Sequence, residues 1–133
     1  MYGALDISTS GLVAQRTRLT IISNNLANRD TLLDENGAYA PYRRQYAVFS
    51  PAGSVEDPAG VRVATIEEDP GPLRMKYEPG SPWANEDGYV GYPNVHSIVE
   101  SMDAMEASRA YEANISAAEA TKSMITVALQ LLG

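Results

Sequence analysis

Four leucines recur at seven-residue steps through the first part of the chain, Leu5, Leu12, Leu19 and Leu26, with Ile22 on the same face. A heptad of this kind reads as a long amphipathic helix with one narrow apolar seam, which buries itself against another helix. The other end carries a second such pattern. Tyr111, Ile115, Ala118, Ile125, Leu129 and Leu132 sit at alternating three- and four-residue steps, interrupted by Lys122. The stretch between the two does not read as helical. A chain whose two best interaction surfaces lie at its ends is built to assemble.

At 133 residues the chain has the length of one domain with a modest core. A globule of that size has a radius of gyration of roughly 14 Å. The stretch from Val95 to Leu132, as one helix, would run about 57 Å at 1.5 Å per residue, so an elongated molecule is expected. No window reaches the ~18 uninterrupted apolar residues of a membrane span. Met1 to Asp6 shows neither a basic n-region nor an apolar h-region, so no secretory signal peptide is expected. Cysteine is absent, which excludes disulfides, thiolate metal sites and cysteine nucleophiles.

The net charge of −7 is spread unevenly. Residues 1–31 carry three arginines against two acids, whereas residues 34–92 hold ten acids against five bases and residues 93–133 five against two. No basic stripe is present, so nucleic acid is not an expected partner. The contrast favours pairing of the two end helices, although screened surface charges contribute little.

The first helix is expected to start between Leu5 and Thr9. It contains Ser8-Thr9-Ser10 early and Ser23-Asn24-Asn25 late, residue types that compete for backbone hydrogen bonds inside helices. Two readings of the late run stand. Asn28 and its neighbours end the helix, or Asn24, Asn25 and Asn28 bond across to a partner. From Leu32 to Pro93 the texture changes. Seven of the eight prolines fall between Pro41 and Pro82. Short runs, Tyr42–Phe49, Val61–Glu67 and Leu73–Tyr77, are separated by the turn signals Asn36-Gly37, Pro58-Ala59-Gly60, Pro70-Gly71-Pro72 and Pro79-Gly80. This predicts a β-rich insert of three to five short strands, marginal alone and expected to lean on the helices or on another subunit. The second helix has two candidate starts, an Asn94 cap after Pro93 and a capping box over Ser97–Glu100. Its many alanines either let helices approach closely on several sides or simply favour the helix.

Chemistry-bearing constellations are weak. His96, the single histidine, has no nucleophile to activate in any recognisable motif. Glu67-Glu68-Asp69 runs into Pro-Gly and reads as a solvated loop edge. Asp34–Gly37 and Asn85–Gly88 lack the ligand alternation and closing Glu of a calcium loop. No catalytic residue, cofactor site or metal site is expected. The tyrosines at 39, 42 and 46 beside Arg43 and Arg44 fit an interface or the core of the insert equally well.

Ile22-Ser23-Asn24-Asn25-Leu26-Ala27-Asn28, followed by Asp30-Thr31, resembles the N-terminal signature of bacterial flagellar rod and hook proteins. Pro41-Tyr42-Arg43-Arg44, Gly60-Val61-Arg62-Val63, Glu68-Asp69-Pro70, Tyr77-Glu78-Pro79-Gly80, Asp87-Gly88-Tyr89-Val90 and Tyr92-Pro93-Asn94-Val95 narrow the resemblance to the C-type proximal rod family of the basal body (FlgC family). Glu106–Asn114 and Ala120–Met124 resemble that family's C-terminal helix. The match covers nearly the whole chain; the loop from Leu32 to Ala40 departs from it. The resemblance implies a structural subunit of the axial rod. It also implies export through the flagellar type III channel without a cleaved signal, helical polymerisation with other rod proteins across the periplasm, and terminal helices paired into an inner coiled-coil layer.

The expected fold is therefore α+β. Residues 1–32 and 93–133 would form a discontinuous helical coiled coil and residues 33–92 a β-rich outer insert. The assembly interface is expected at Leu5, Leu12, Leu19, Ile22, Asn24, Asn25, Leu26 and Asn28 on the first helix. On the second it is expected at Tyr111, Asn114, Ile115, Ala118, Ile125, Leu129 and Leu132. Expected partners are copies of the chain, other rod proteins and the export apparatus, with no direct membrane insertion. A second class, a secreted module presenting its tyrosine-rich insert to a ligand, fits the same helical ends.

Overall fold

The computed structural model describes residues 2–133. Helix α1, Tyr2–Ala27, is followed by strands β1 (Gln45–Gly53), β2 (Pro58–Glu68), β3 (Arg74–Tyr77) and β4 (Tyr89–Tyr92), and then by helix α2, Ser97–Leu132. Two helices thus enclose four strands in an α+β arrangement. At 1.5 Å per residue α1 is about 39 Å long and α2 about 54 Å.

Helix α1 starts earlier than expected, because tertiary contacts override the weak propensity of its Ser-Thr-Ser run. Ser8 is buried. The Ser10 hydroxyl donates to the Ile7 carbonyl at 2.6 Å and accepts the Val61 N–H at 3.1 Å. The helix ends at Asn28, whose backbone N–H donates to the Asn24 and Asn25 carbonyls and whose side-chain amide donates to the Asn24 carbonyl at 2.9 Å. Helix α2 uses neither expected cap. Its N-cap is His96, without a side-chain capping bond. The Asn94 carboxamide and the Glu100 carboxylate are both engaged across the molecule instead.

Strands β1 and β2 pair antiparallel, with register shifts between Val48 and Phe49 and again between Pro51 and Gly53. Pro51 has no N–H to give the ladder. Pro58-Ala59-Gly60, expected as a turn, opens strand β2; the reversal is made at Ser54–Asp57, where the Ser54 N–H donates to the Asp57 carbonyl. Strands β3 and β4 form a second antiparallel pair, from Arg74 opposite Tyr92 to Tyr77 opposite Tyr89. The expected turn at Asn36-Gly37 is present, inside a Leu33–Tyr39 bridge. Gly37 takes a φ of 79°, and the Asp34 carboxylate accepts the N–H groups of Asn36 and Ala38.

Neither two-stranded sheet is self-sufficient. Strands β1 and β2 both lie against α1. The β3–β4 pair is anchored by Val90, which is fully buried, and by Tyr39, which stacks on Trp83 and donates to the Gly91 carbonyl at 2.7 Å. The core, with Ala14, Ile21, Ile22, Val90, Val95 and Ala107 buried, is small. It runs along the helix pair and into the root of the insert.

Candidate assembly interface

Helices α1 and α2 pack antiparallel. Gly11 lies against Asn114, Arg18 faces Asp103 and Glu106 at 3.9 and 3.6 Å, and Asn25 reaches Glu100. These pairs step equally along both helices, so the register is continuous. Gly11 is what lets the backbones close, since a Cβ there would fall 2.8–2.9 Å from the Asn114 side chain. Ala14 and Ala107, both buried, line the same packed pair. Leu12 and Tyr111 border one small cleft between the helices.

At the root of this pair sits a buried polar junction. The Asn25 side chain is fully buried and uses its whole hydrogen-bonding capacity. Its amide nitrogen donates to the Gln45 carbonyl at 2.8 Å and to Glu100 Oε2 at 3.3 Å. Its oxygen accepts the Tyr42 hydroxyl at 2.8 Å and the Gln45 N–H at 3.0 Å. Glu100, also fully buried, takes the Arg44 Nε–H on its other oxygen. Arg44 further reaches Asp103 at 3.3 Å and Asp69 at 3.5 Å. Its N–H donates to Asn94 Oδ1 at 2.8 Å, and the Asn94 amide donates to the Asp69 carbonyl. Both helices, the start of β1 and the loop after β2 are thus tied at one point.

The electrostatics match the geometry. Burial alone would lower the basicity of Arg44, but the hydrogen bond to Glu100 and the charges of Glu100, Asp103 and Asp69 outweigh it and hold the guanidinium above its ordinary range. The Tyr42 hydroxyl is pushed up by burial first and by Glu100 and Glu68 next, so it stays a donor to Asn25.

The residues expected at an interface divide into three groups. Ile22 and Asn25 are buried within the chain; Leu5, Leu12, Leu19, Tyr111, Asn114, Ala118 and Ile125 are half-buried. Asn28 is half-buried too and closes its own helix, accepting the Thr31 hydroxyl at 3.1 Å. Asn24, Leu26, Ile115, Leu129 and Leu132 are exposed, the last at 86%. The stripe α2 turns inward is Ala107, Tyr111, Asn114, Ala118, Thr121 and Ile125, so Lys122 does not interrupt it. Sequence reasoning missed Glu100, Arg44 and Asn94 as members of the junction. The signal was a Glu in the first turn of a helix, which reads equally well as a cap.

Among the described residues no group of three or more His, Asp or Glu is placed to hold a metal, and no helix is long and apolar enough to cross a membrane. What the arrangement offers is a locked root, a helix pair with small residues between its members, and an uncovered apolar end.

Two family models match the two ends of the chain. Residues 5–32 fit the flagella basal body rod protein family, and residues 86–131 the C-terminal region of the flagellar basal body rod FlgEFG proteins. Full-length relatives agree. The chain is 39% identical to the flagellar basal-body rod protein FlgC of Borreliella burgdorferi, over 99% of this chain and 97% of that one. It is 37% identical to the protein of that name from Bacillus subtilis and 41% to that from Salmonella typhimurium, in each case over 98% of this chain and 97% of the relative.

Proposed function

This chain belongs to the FlgC family of flagellar basal-body rod proteins and is a structural subunit of the rod, and from that premise we propose that it polymerises helically through its paired terminal helices. Residues 1–32 and 93–133 form the rod-core part and residues 33–92 an outer domain, held at a set angle by the Asn25–Arg44–Glu100 junction. The subunit belongs to the proximal rod and contributes to the axial shaft that carries torque for motility. It reaches the periplasm through the flagellar type III apparatus, and it carries out no catalysis.

The observation that supports this most is the unequal finish of the helix pair. The root is fully satisfied within one chain, whereas Met124, Val127, Leu129, Leu131 and Leu132 are all more than half exposed at the far end of α2. Exposed apolar surface of that extent marks a contact to be made. The tyrosines of the insert argue against a ligand-presenting module. Tyr39, Tyr42 and Tyr92 spend their hydroxyls on Gly91, Asn25 and Glu78 within the chain.

Leu12→Asp and Leu19→Asp test the reading. Each places a charge on a half-buried position, with a desolvation cost added to the roughly 1.5–3 kcal/mol lost with a buried leucine. Basal bodies purified from cells carrying either variant are expected to lack the subunit, and the cells to be non-motile. Normal swimming in both variants would contradict the proposal.

A further inference from the structure

We propose that the free end of α2 from one copy of this chain seats in the apolar groove between α1 and β2 of a second copy, a head-to-tail contact. This rests on the polymerisation proposed above and specifies the surfaces that make it.

The helix register sets the overhang. Gly11 opposite Asn114 and Asn25 opposite Glu100 carry the start of α1 level with about Ser123. Beyond that point α2 continues to Leu132 with no other helix beside it among the described residues. Ile125 and Ala128 there stay half-buried, but Met124, Val127 and Leu129 are 54–60% exposed and Leu131 and Leu132 83% and 86%. No ionisable side chain follows Lys122. A leucine-rich helix end whose side chains carry no charge is costly to leave in water and costly to set against unpaired charge.

The molecule offers one cleft of matching character among those described. It has a volume of about 290 Å³ and is lined by Val13, Ala14, Thr17, Val61 and Val63 together with Ser10, and Arg62 is its one charge. The other clefts of comparable size are built around Arg18 and Arg44 with Asp103, around Arg44 with Asp69 and Glu100, or around Asp103 and Glu106 with Arg109. The apolar cleft is also a rigid receptor. Gly60, at a φ of 97°, brings β2 so close to α1 that a Cβ would collide with the Ser10 side chain, and the Val61 N–H is pinned on Ser10 Oγ.

The overhang and the groove lie on different parts of one molecule and cannot meet within it. Donor end and receptor groove on separate copies make a heterologous interface, which extends into a helical filament when the rotation does not close. A two-fold pairing of overhang on overhang would stop at a dimer. Both seams left open by the fold are covered in the head-to-tail arrangement.

The absence of cysteine makes site-directed disulfide trapping clean. Leu131→Cys and Val63→Cys are placed on separately expressed copies in one motile strain, basal bodies are isolated, and non-reducing electrophoresis is read for a covalent dimer. A dimer is expected only when both variants are present, since a disulfide needs Cα atoms within roughly 7 Å. Replacing Val63→Cys by Ser54→Cys, at the β1–β2 turn, is expected to abolish it. Incorporation of both variants with no dimer, or trapping of Leu131→Cys to a different rod protein, overturns the head-to-tail contact and leaves polymerisation standing. Absence of even the unmodified chain from basal bodies removes the polymerisation reading itself. Where the cysteines block incorporation, a charge pair decides. Val63→Asp alone is expected to stop assembly and Val63→Asp with Leu131→Lys to restore it, and failure of that rescue counts against the contact.

Discussion

The two ends of the helix pair are finished in opposite ways. At the root, Asn25 and Glu100 are completely buried, and every polar atom of Asn25 has a partner supplied by β1, by Tyr42 or by α2. At the tip, α2 runs past α1 with its leucines in solvent. Buried polar groups are tolerable only when fully satisfied, so the root must be complete within one chain before any partner arrives. A contiguous exposed apolar surface marks a contact to be made, so the tip is completed by assembly. The difference places specificity of shape at one end and drive for association at the other.

The comparison breaks most severely at Arg44. Arg44→Ala strands the Glu100 carboxylate with only the Asn25 amide, and removing one partner of a buried pair costs about 3–5 kcal/mol. Urea unfolding of the purified chain is expected to show that loss. Arg44→Met with Glu100→Leu is expected to be less damaging than Arg44→Ala alone, because no buried charge is left unpaired. A double variant at least as unstable as that single one would mean that shape, not charge pairing, holds the root.

Asn25→Ala comes next. It orphans the Tyr42 hydroxyl and the Gln45 N–H and carbonyl, at about 1–3 kcal/mol, even though Ala favours the helix. Asn24→Ala, at an exposed position with no such partners, is expected to stay within about 0.5 kcal/mol of the parent. Thermal unfolding of the two variants side by side checks the ranking, and equal effects would reduce Asn25 to a helix-ending residue.

Gly11→Ala probes the pair midway. The added Cβ meets Asn114, and overpacking of this kind costs about 1–3 kcal/mol. Asn114→Ala in the same chain is expected to recover much of it, whereas Gly3→Ala, with nothing within 4 Å, is expected to be neutral or mildly stabilising. No rescue by Asn114→Ala would mean that the helices do not approach closely there.

The smallest expected effect is on the solvent-facing β3–β4 pair. The hydrogen bond from Tyr92 first, then that from Lys76, holds Glu78 below the usual carboxylate range. A depressed folded-state pKa gives stability that is present above the unfolded value of about 4.5 and is lost as pH falls through the folded one. Tyrosine fluorescence is expected to report slight loosening of this pair only under acid, with Glu78→Gln removing the dependence. A loosening centred near neutrality would contradict the assignment.

Much of this architecture is legible in the residues, and the gaps have physical causes. The leucine heptad announces α1, and the proline- and glycine-rich middle announces short strands. The 22–31 signature flags the asparagines without saying which one matters. Asn25 and Asn28 differ only in which face of the last turn they occupy, and that face is set by a strand starting at Gln45. The junction was hidden because its bonds join residues 17 to 75 positions apart, where no local periodicity reaches. The intrachain stripe of α2 escapes a hydrophobic pattern for a related reason. Its contact positions include Ala107, Asn114 and Thr121, small or polar residues that a hydrophobic pattern passes over, while the apolar Ile115, Leu129 and Leu132 point outward.

Amide hydrogen exchange, on the dilute monomer and again on isolated rods, tests the unequal finish most directly. In the monomer, protection is expected to be strongest at residues 21–27 and 97–107, beside the junction, and to fall away to fast exchange over 124–132. In the rod, residues 124–132 are expected to become as slow as the root. Uniform strong protection through Leu132 in the dilute monomer, or fast exchange there that persists in the assembled rod, would contradict the account.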